Sequence, residues 1–379
     1  MKRKFAGVVV VVALALASAA FVAHDLYHPY RGFAGNVIIE ISPGMGARPI
    51  SALLVERGVL AHRIPFLIRY AIGRARNRLK AGEYLFDRPL RPIDVYRILI
   101  RGDVYLHPVL IPEGSDRFDM ARIFDERLAI DPAVFLRTTE QTALIRDLDP
   151  QAPSLEGYLF PDTYRFPRRT DAATVVATML ARFRHVLATH FRDEIAADRG
   201  QLHEVVTLAS LVEKETPDPT ERAMVAGVFT RRLEKGMLLQ CDPTVVYAAR
   251  IAHHPIGVIT TKDLNFDSPF NTYRHAGLPP GPIASPGEAA IRAAFHPAIG
   301  DTLYFVSNNH GGHLFSRSLA EHQRKVARYK QEVAASQHKA LATPKTSVPS
   351  ATPMRHTQSP KAGGPSKSVS PGQQKADPS

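Results

Sequence analysis

Two carboxylates stand two residues apart in Leu208-Ala-Ser-Leu-Val-Glu-Lys-Glu-Thr216, where an apolar run ends in Glu213, Lys214 and Glu215 and Pro217 follows at once. Residues 203 to 215 carry an apolar stripe at helical spacing, and Pro217 disfavours helix at the residue before it. Both glutamates therefore fall in the last turn of a predicted helix. At 100° per residue Glu213 lies over Val206, Ala209 and Ser210, and Glu215 lies nearer Leu208 and Leu211. The small neighbours predict room for a ligand beside Glu213. A carboxyl partly desolvated at the negative end of a helix dipole has its neutral form favoured, so it can donate a proton near neutral pH. General acid cleavage of a glycosidic bond needs that property. The same pattern also suits a solvated helix end.

The following residues add weight to the first reading. Asp218-Pro219-Thr220-Glu221 has capping-box spacing with proline at the first helical position, which predicts a new helix running to Gly236 and puts Glu213 at a corner. Beyond it lie Gly236-Met-Leu-Leu-Gln-Cys-Asp-Pro-Thr-Val-Val-Tyr-Ala248 and the stretch from Ser268 to Pro297, whose five prolines from Pro279 onward predict rigid loop. Polar groups on rigid loops opposite a carboxylate are what a substrate cleft needs. In residues 155–166 the aromatics Tyr158, Phe160, Tyr164 and Phe166 surround Pro161-Asp162, predicting extended structure broken by a turn. Such rings line sugar sites but more often belong to a core. His313 reads as a loop hydrogen-bonding residue without partners for a metal, and no metal or cofactor is expected.

The rest of the chain must position these groups. Its 379 residues, 45% hydrophobic and 22% charged, suffice for more than one globular domain. A net charge of +12 favours anionic partners without choosing among nucleic acid, membrane headgroups and acidic polymers. Cys241 is the single cysteine, which excludes an internal disulfide and a multi-cysteine zinc site. Lys2, Arg3 and Lys4 precede an uncharged run over residues 5–23, whose nineteen residues at about 1.5 Å each nearly span a hydrocarbon core of roughly 30 Å. The basic flank predicts a cytoplasmic N-terminus with the remainder exported. Ala17-Ser18-Ala19 leaves a cleaved signal peptide as the rival, though the apolar run continues past it through Phe21 and Val22. Export argues against a nucleic-acid partner.

Residues 36–106 read as strand, helix, helix, strand, helix, with Pro92 suited to a first turn and Gly102 to a C-terminal cap. This small α+β module carries no catalytic pattern. Residues 104–115 read as strand and turn into a larger α+β region. From about Gln337 the chain is rich in Ser, Thr, Pro, Lys, Gln and Gly without aromatics, which predicts a disordered basic tail.

Taken in order, residues 155–164 (LEGYLFPDTY), 208–216 (LASLVEKET), the run from Val225 through Ala248, residues 268–287 (SPFNTYRHAGLPPGPIASPG) and residues 303–322 (LYFVSNNHGGHLFSRSLAEH) closely resemble the MltG (YceG-like) family of endolytic murein transglycosylases. The resemblance covers about residues 35 to 332. It implies an anchor over 1–24, a LysM-like module over 35–106, a YceG-like catalytic domain over 107–334 and the tail over 335–379. It implies a single-pass inner-membrane protein with its catalytic domain in the periplasm. The implied reaction cuts peptidoglycan glycan strands between N-acetylmuramic acid and N-acetylglucosamine, leaving 1,6-anhydromuramic ends. The implied catalytic glutamate is the first acid of the Glu-Lys-Glu motif, Glu213. Glu156, Tyr158, Gln240, Asp242, Thr244, Asn271, Thr272 and Tyr273 are implied to line the cleft, each equally able to serve as a structural hydrogen-bonding group. The partners implied are glycan strands, neighbouring peptidoglycan synthases, and the lipid bilayer through residues 5–23.

Departures from the family pattern are Cys241 where serine or threonine is common, Arg231 where asparagine is common and Phe270 where tyrosine is common. None removes the proposed acid. Two rival functions remain: a catalytically silent glycan-binding scaffold, and a hydrolytic muramidase. The hydrolase needs a second carboxylate, for which Glu215 and Asp242 are the candidates.

Overall fold

The computed structural model describes residues 2–73, 78–197 and 199–342. The chain divides into two compact units, 1–330 and 331–379. Helix α1 (Lys2–Tyr27) is long and apolar enough from Phe5 onward to cross a membrane, and none of that stretch is buried. One N-terminal apolar helix of this kind fits a single-pass anchor.

The small module follows the predicted order: β1 (Val37–Ile41), α2 (Ala47–Glu56), α3 (Arg63–Gly73), β2 (Gly82–Phe86) and α4 (Pro92–Arg101). The two strands pair antiparallel, with Val37 opposite Phe86 and Ile41 opposite Gly82. Alternation sends Ile39 and Ile41 into a core with Leu54, Phe66, Tyr84 and Leu99, while Ile38 and Glu40 face out. Helix α4 starts on Pro92 and stops at Gly102, whose left-handed φ of 76° lets its N–H reach the Ile98 carbonyl.

In the larger region β3 (His107–Leu110) pairs antiparallel with β4 (Thr163–Phe166). Between them lie α5 (Arg117–Leu128) and α6 (Pro132–Thr138). There follow α7 (Ala172–His190), α8 (Arg192–Ala197), α9 (Leu202–Glu215), α10 (Arg222–Glu234), α11 (Asp242–Ile251), α12 (Thr261–Leu264) and α13 (Glu288–Phe295). A hairpin of β5 (Tyr304–Ser307) and β6 (His313–Ser316) then leads into α14 (Leu319–Ala342). Helix α9 is the axle of this region. Every residue from Val205 to Val212 is buried, as in a helix packed on all sides, with α13 lying across its small residues.

Three expectations change. Only residues 163–166 of the aromatic stretch form a strand, while Tyr158, Phe160, Tyr164 and Phe166 are all buried in the core, the commoner place for such rings. Helix α10 begins at Arg222 rather than near Pro219, because the Asp218 carboxylate closes a local turn by accepting from Thr220 N and Oγ1, both at 2.8 Å. Helix α14 continues through Ala342, past the Gln337 boundary expected for the tail. Residues 343–379 lie outside the described residues.

Gly157 joins the buried turn to α9. It has φ +84°, and a Cβ there would lie 2.4 Å from Pro282 Cβ and 3.1 Å from Val206 Cγ1. Gly157→Ala is therefore expected to cost about 2–4 kcal/mol from left-handed strain plus overpacking, read as a lowered denaturation midpoint. An unchanged midpoint would show that the turn relaxes freely.

Candidate active site

Helix α9 ends because Thr216 is extended at φ −136° and Pro217 follows. Two residues apart, the carboxylates leave the last turn about 200° from one another. They enter different surroundings. Glu213 Oε1 receives Arg222 Nη2 at 2.8 Å and its Oε2 receives the Gly287 N–H at 2.9 Å. Both side chains of the ion pair are buried, at 4% exposure for Glu213 and 6% for Arg222. Gly287 caps the start of α13, so Glu213 also sits at the positive end of that helix. The small residues of α9 do not leave room for a ligand. They admit the 283–287 loop, whose Ile283 N–H donates to Ser210 Oγ at 3.1 Å. Glu213, expected as the acid, is a buried tie between α9, α10 and α13.

Glu215 faces the other way, into a cavity of about 290 Å³ that it shares with Gln240, Asp242, Tyr273, Arg232 and His313. Among the described residues it has no cation at ion-pairing distance. Burial pushes its carboxyl above the ordinary glutamate range, and the neighbouring Asp242 charge pushes the same way; the Cys241 thiol, His313 and Arg232 pull back. Glu213 is also raised by burial, against the Gly287 amide and Arg222. The difference between the two is access and partners. One carboxyl is locked by a guanidinium and the other opens on a polar cavity.

The cavity wall is held by a buried polar layer. Asp242 opens α11 and accepts the Tyr273 hydroxyl at 2.5 Å. Beneath it, Thr244 Oγ1 donates to the Cys241 carbonyl at 2.6 Å and lies 2.9 Å from Thr272 Oγ1, which accepts the Cys241 N–H at 3.0 Å. Gln240, at φ 52°, ties its N–H to the Thr272 carbonyl at 3.1 Å. Asn271 binds the Leu264 and Phe266 carbonyls through Nδ2 and accepts Tyr273 N–H through Oδ1. Opposite, Glu221 holds His313 twice, by the ring Nδ1 at 2.7 Å and the backbone N–H at 2.8 Å. Arg232 donates to the carbonyls of Leu303, Leu238 and Leu239, and its guanidinium lies over Tyr304.

Of the residues expected to line a cleft, Gln240, Asp242 and Tyr273 line this cavity. Thr244, Asn271 and Thr272 are fully buried one layer below and position them. Glu156 and Tyr158 lie elsewhere, for reasons visible in their partners. Glu156 accepts Arg117 N–H at 2.9 Å and Tyr247 hydroxyl at 3.1 Å, and Tyr158 donates its hydroxyl to the buried Asp149, which also takes His203 Nδ1. Four charged residues around the cavity and the ion pair were not expected to line a cleft: Glu215, raised only as the second carboxylate of a hydrolase, and Glu221, Arg222 and Arg232. The first was visible in the sequence as the second acid of the pair; the others carried no signal beyond charge near the motif.

Burial and the Asp116 charge push the Glu156 carboxyl up to about 8. A folded value above the unfolded one means that the stabilisation is present below the unfolded value and is lost as pH rises through the folded one. Urea unfolding from pH 5 to 8 is expected to show stability declining more steeply in the wild type than in Glu156→Gln. The gap between them should change by at least about 1 kcal/mol. Parallel curves would mean that Glu156 is ionised throughout.

The sequence pattern of the YceG-like family matches residues 39–328. The chain is 31% identical over 311 residues to a Bacillus subtilis (strain 168) protein named endolytic murein transglycosylase, covering 78% of this chain and 85% of that one. It is 30% identical over 322 residues to a Streptococcus pneumoniae (D39) protein of the same name, covering 77% of this chain. The chain spans only 58% of that relative's length. A 2.6 Å crystal structure of a Listeria monocytogenes protein described as YceG-like superposes with a TM-score of 0.53 at 30% identity, over 76% of this chain and 98% of that one.

Proposed function

The chain belongs to the YceG-like family, and from that membership we propose that it is an endolytic murein transglycosylase with Glu215 as its acid and base. Its substrate is then a peptidoglycan glycan strand, cut between N-acetylmuramic acid and N-acetylglucosamine. The observation that carries the choice of acid is the contrast within one helical turn. Glu213 is consumed by Arg222 and Gly287, whereas Glu215 opens on the cavity with its neutral form favoured.

The chemistry needs one carboxyl. Glu215 protonates the bridging oxygen as the anomeric bond breaks; as carboxylate it then takes the proton of the sugar's 6-hydroxyl while that oxygen attacks the anomeric carbon. The proton returns to Glu215 and no water is consumed. Attack within one sugar gains from its high effective molarity. His313, held by Glu221, and Asp242, held by Tyr273, stand on the same cavity to orient hydroxyl and acetamido groups. Asp242 also supports a second reading, hydrolysis, because a second carboxylate on the cavity could activate water.

The β-α-α-β order of residues 37–86 supports reading the small module, residues 35–106, as LysM-like and glycan-holding, ahead of a catalytic domain over 107–334. The N-terminal apolar helix supports an inner-membrane anchor with the catalytic region in the periplasm. Uncrosslinked strands emerging from synthases would be the natural substrate. A cross-linked membrane pull-down that recovers no synthase would remove that partnership.

The test is mass spectrometry of products from uncrosslinked glycan strands with the full chain in detergent. Wild type is expected to give 1,6-anhydro ends, and Glu215→Gln to fall by about 10²–10⁴ with its fold intact. Glu213→Gln should instead lose about 3–5 kcal/mol of stability while its folded fraction keeps cutting. The alkaline limb of wild-type kcat/KM should lie above the ordinary glutamate range, since activity is lost as the acid ionises. An inactive but fully stable Glu213→Gln would return the acid role to Glu213. Reducing ends from wild type would make water the acceptor and Asp242 the second carboxylate.

A further inference from the structure

Helix α3 presents a stripe that the module's core does not use. Phe66, one of its buried residues, is fully enclosed, and Arg69, at the edge of the cleft beside α1, reaches 4.5 Å over the Tyr96 ring. On the outside, Ile64, Ile68 and Ile72 follow at four-residue spacing with exposures of 63%, 41% and 77%. Three isoleucines on one helical face in water are unfavourable, at roughly 25 cal/mol for each Å² of apolar surface that could be covered.

What adjoins the stripe is the end of α1. A cleft between the two helices is lined by Ser18, Ala19, Val22 and Leu26 of α1 and by Ile68 and Ile72 of α3. The contact is fastened at Phe21, whose ring meets His62 at 5.2 Å, and at Asp25, which binds His62 Nδ1 at 2.8 Å. If the cytoplasmic edge of the hydrocarbon falls at Phe5, about 20 residues of helix reach the outer edge near Asp25. Ser18 through Ala23 then lie inside the outer leaflet, and whatever packs alongside them lies at the same depth.

We propose that α3 is an interfacial helix that inserts Ile64, Ile68 and Ile72 into the outer leaflet of the bilayer beside the anchor, seating the small module on the membrane. The occupant of the stripe is lipid, and the inference rests on reading α1 as a membrane anchor. An amphipathic helix of this kind sinks roughly 5–10 Å into the boundary between headgroups and acyl chains. The seat restricts the module to a fixed height and limits its swing about the residues that follow α1.

The chain contains no tryptophan, so a single introduced one reports alone. The full chain is reconstituted in phosphatidylcholine vesicles containing phosphatidylglycerol, with lipids brominated near the top of the acyl chain as quenchers. Phe21→Trp reports the anchor, Ile68→Trp and Ile72→Trp the stripe, and Val258→Trp, at 85% exposure, the aqueous control. Quenching of the two stripe positions of the same order as Phe21→Trp, with none at Val258→Trp, is the expected result. Phe21→Trp quenched with both stripe positions unquenched overturns the seating while the anchor stands, and would mean that water, a second copy or another protein covers the stripe. No quenching at Phe21→Trp overturns the anchor and the seating together. Equal quenching at Val258→Trp would show indiscriminate adsorption and also overturns the proposal.

Discussion

The Glu213–Arg222 ion pair is the constraint around which the catalytic region is arranged. Two buried charges are tolerable when they are paired, and here the second carboxylate oxygen also takes a backbone N–H from the start of α13, while Arg222 Nε is buried without a partner among the described residues. The pair therefore fixes three helices at one point. It sets the rotation of α9 about its axis, because a helix apolar on every side has no stripe of its own to choose an orientation. Once Glu213 is pinned toward Arg222, the helical repeat sends Glu215 to the opposite side and into the cavity.

The cavity's far wall follows the same logic in neutral groups. Thr244, Thr272 and Asn271 meet backbone groups of the 264–273 and 240–241 segments, so loops that lack regular hydrogen bonding are still satisfied where water is excluded. That layer gives Gln240, Asp242 and Tyr273 fixed directions. Cys241 sits within it at 1% exposure, and burial together with the Glu215 charge holds its thiol protonated. A thiol is a weaker donor than a hydroxyl would be at this place, so it stabilises the Glu215 carboxylate less. The thiol thus leaves the protonated form of Glu215 more favoured than a hydroxyl would.

Much of the framework was legible in the sequence, and the failures are instructive. Strand alternation at Ile39 and Ile41, Pro92 at a helix start and Gly102 at its end gave the small module element by element, because each signal is local. The end of α9 was legible for the same reason. Which glutamate is locked in an ion pair and which opens on the cavity was not. The choice depends on Arg222 and Gly287, which reach Glu213 only through the fold, and the small residues Ala209 and Ser210 that suggested ligand space are equally the signature of close backbone packing. The burial of Glu156 and Tyr158 away from this cavity was not legible either, since a polar residue in a matching motif reads alike whether it lines a cavity or supports the core. The start of α10 was misplaced because Asp218 found a local partner in Thr220, an alternative that the capping spacing does not distinguish.

Two acids two residues apart thus answer different physical demands. Lys214 between them donates to the Gly114 carbonyl at 3.1 Å, so even the middle residue ties the helix end to the loop before α5. A single carboxyl at that corner would be drawn either to Arg222, leaving the cavity without an acid, or to the cavity, leaving Arg222 with only the exposed Glu113 at 3.4 Å. Supplying one carboxyl for each place lets the first carry the cost of a buried cation while the second faces the cavity without a guanidinium partner. The spacing of two is what separates the roles, because at three or four residues both side chains would emerge on the same face and compete for one partner.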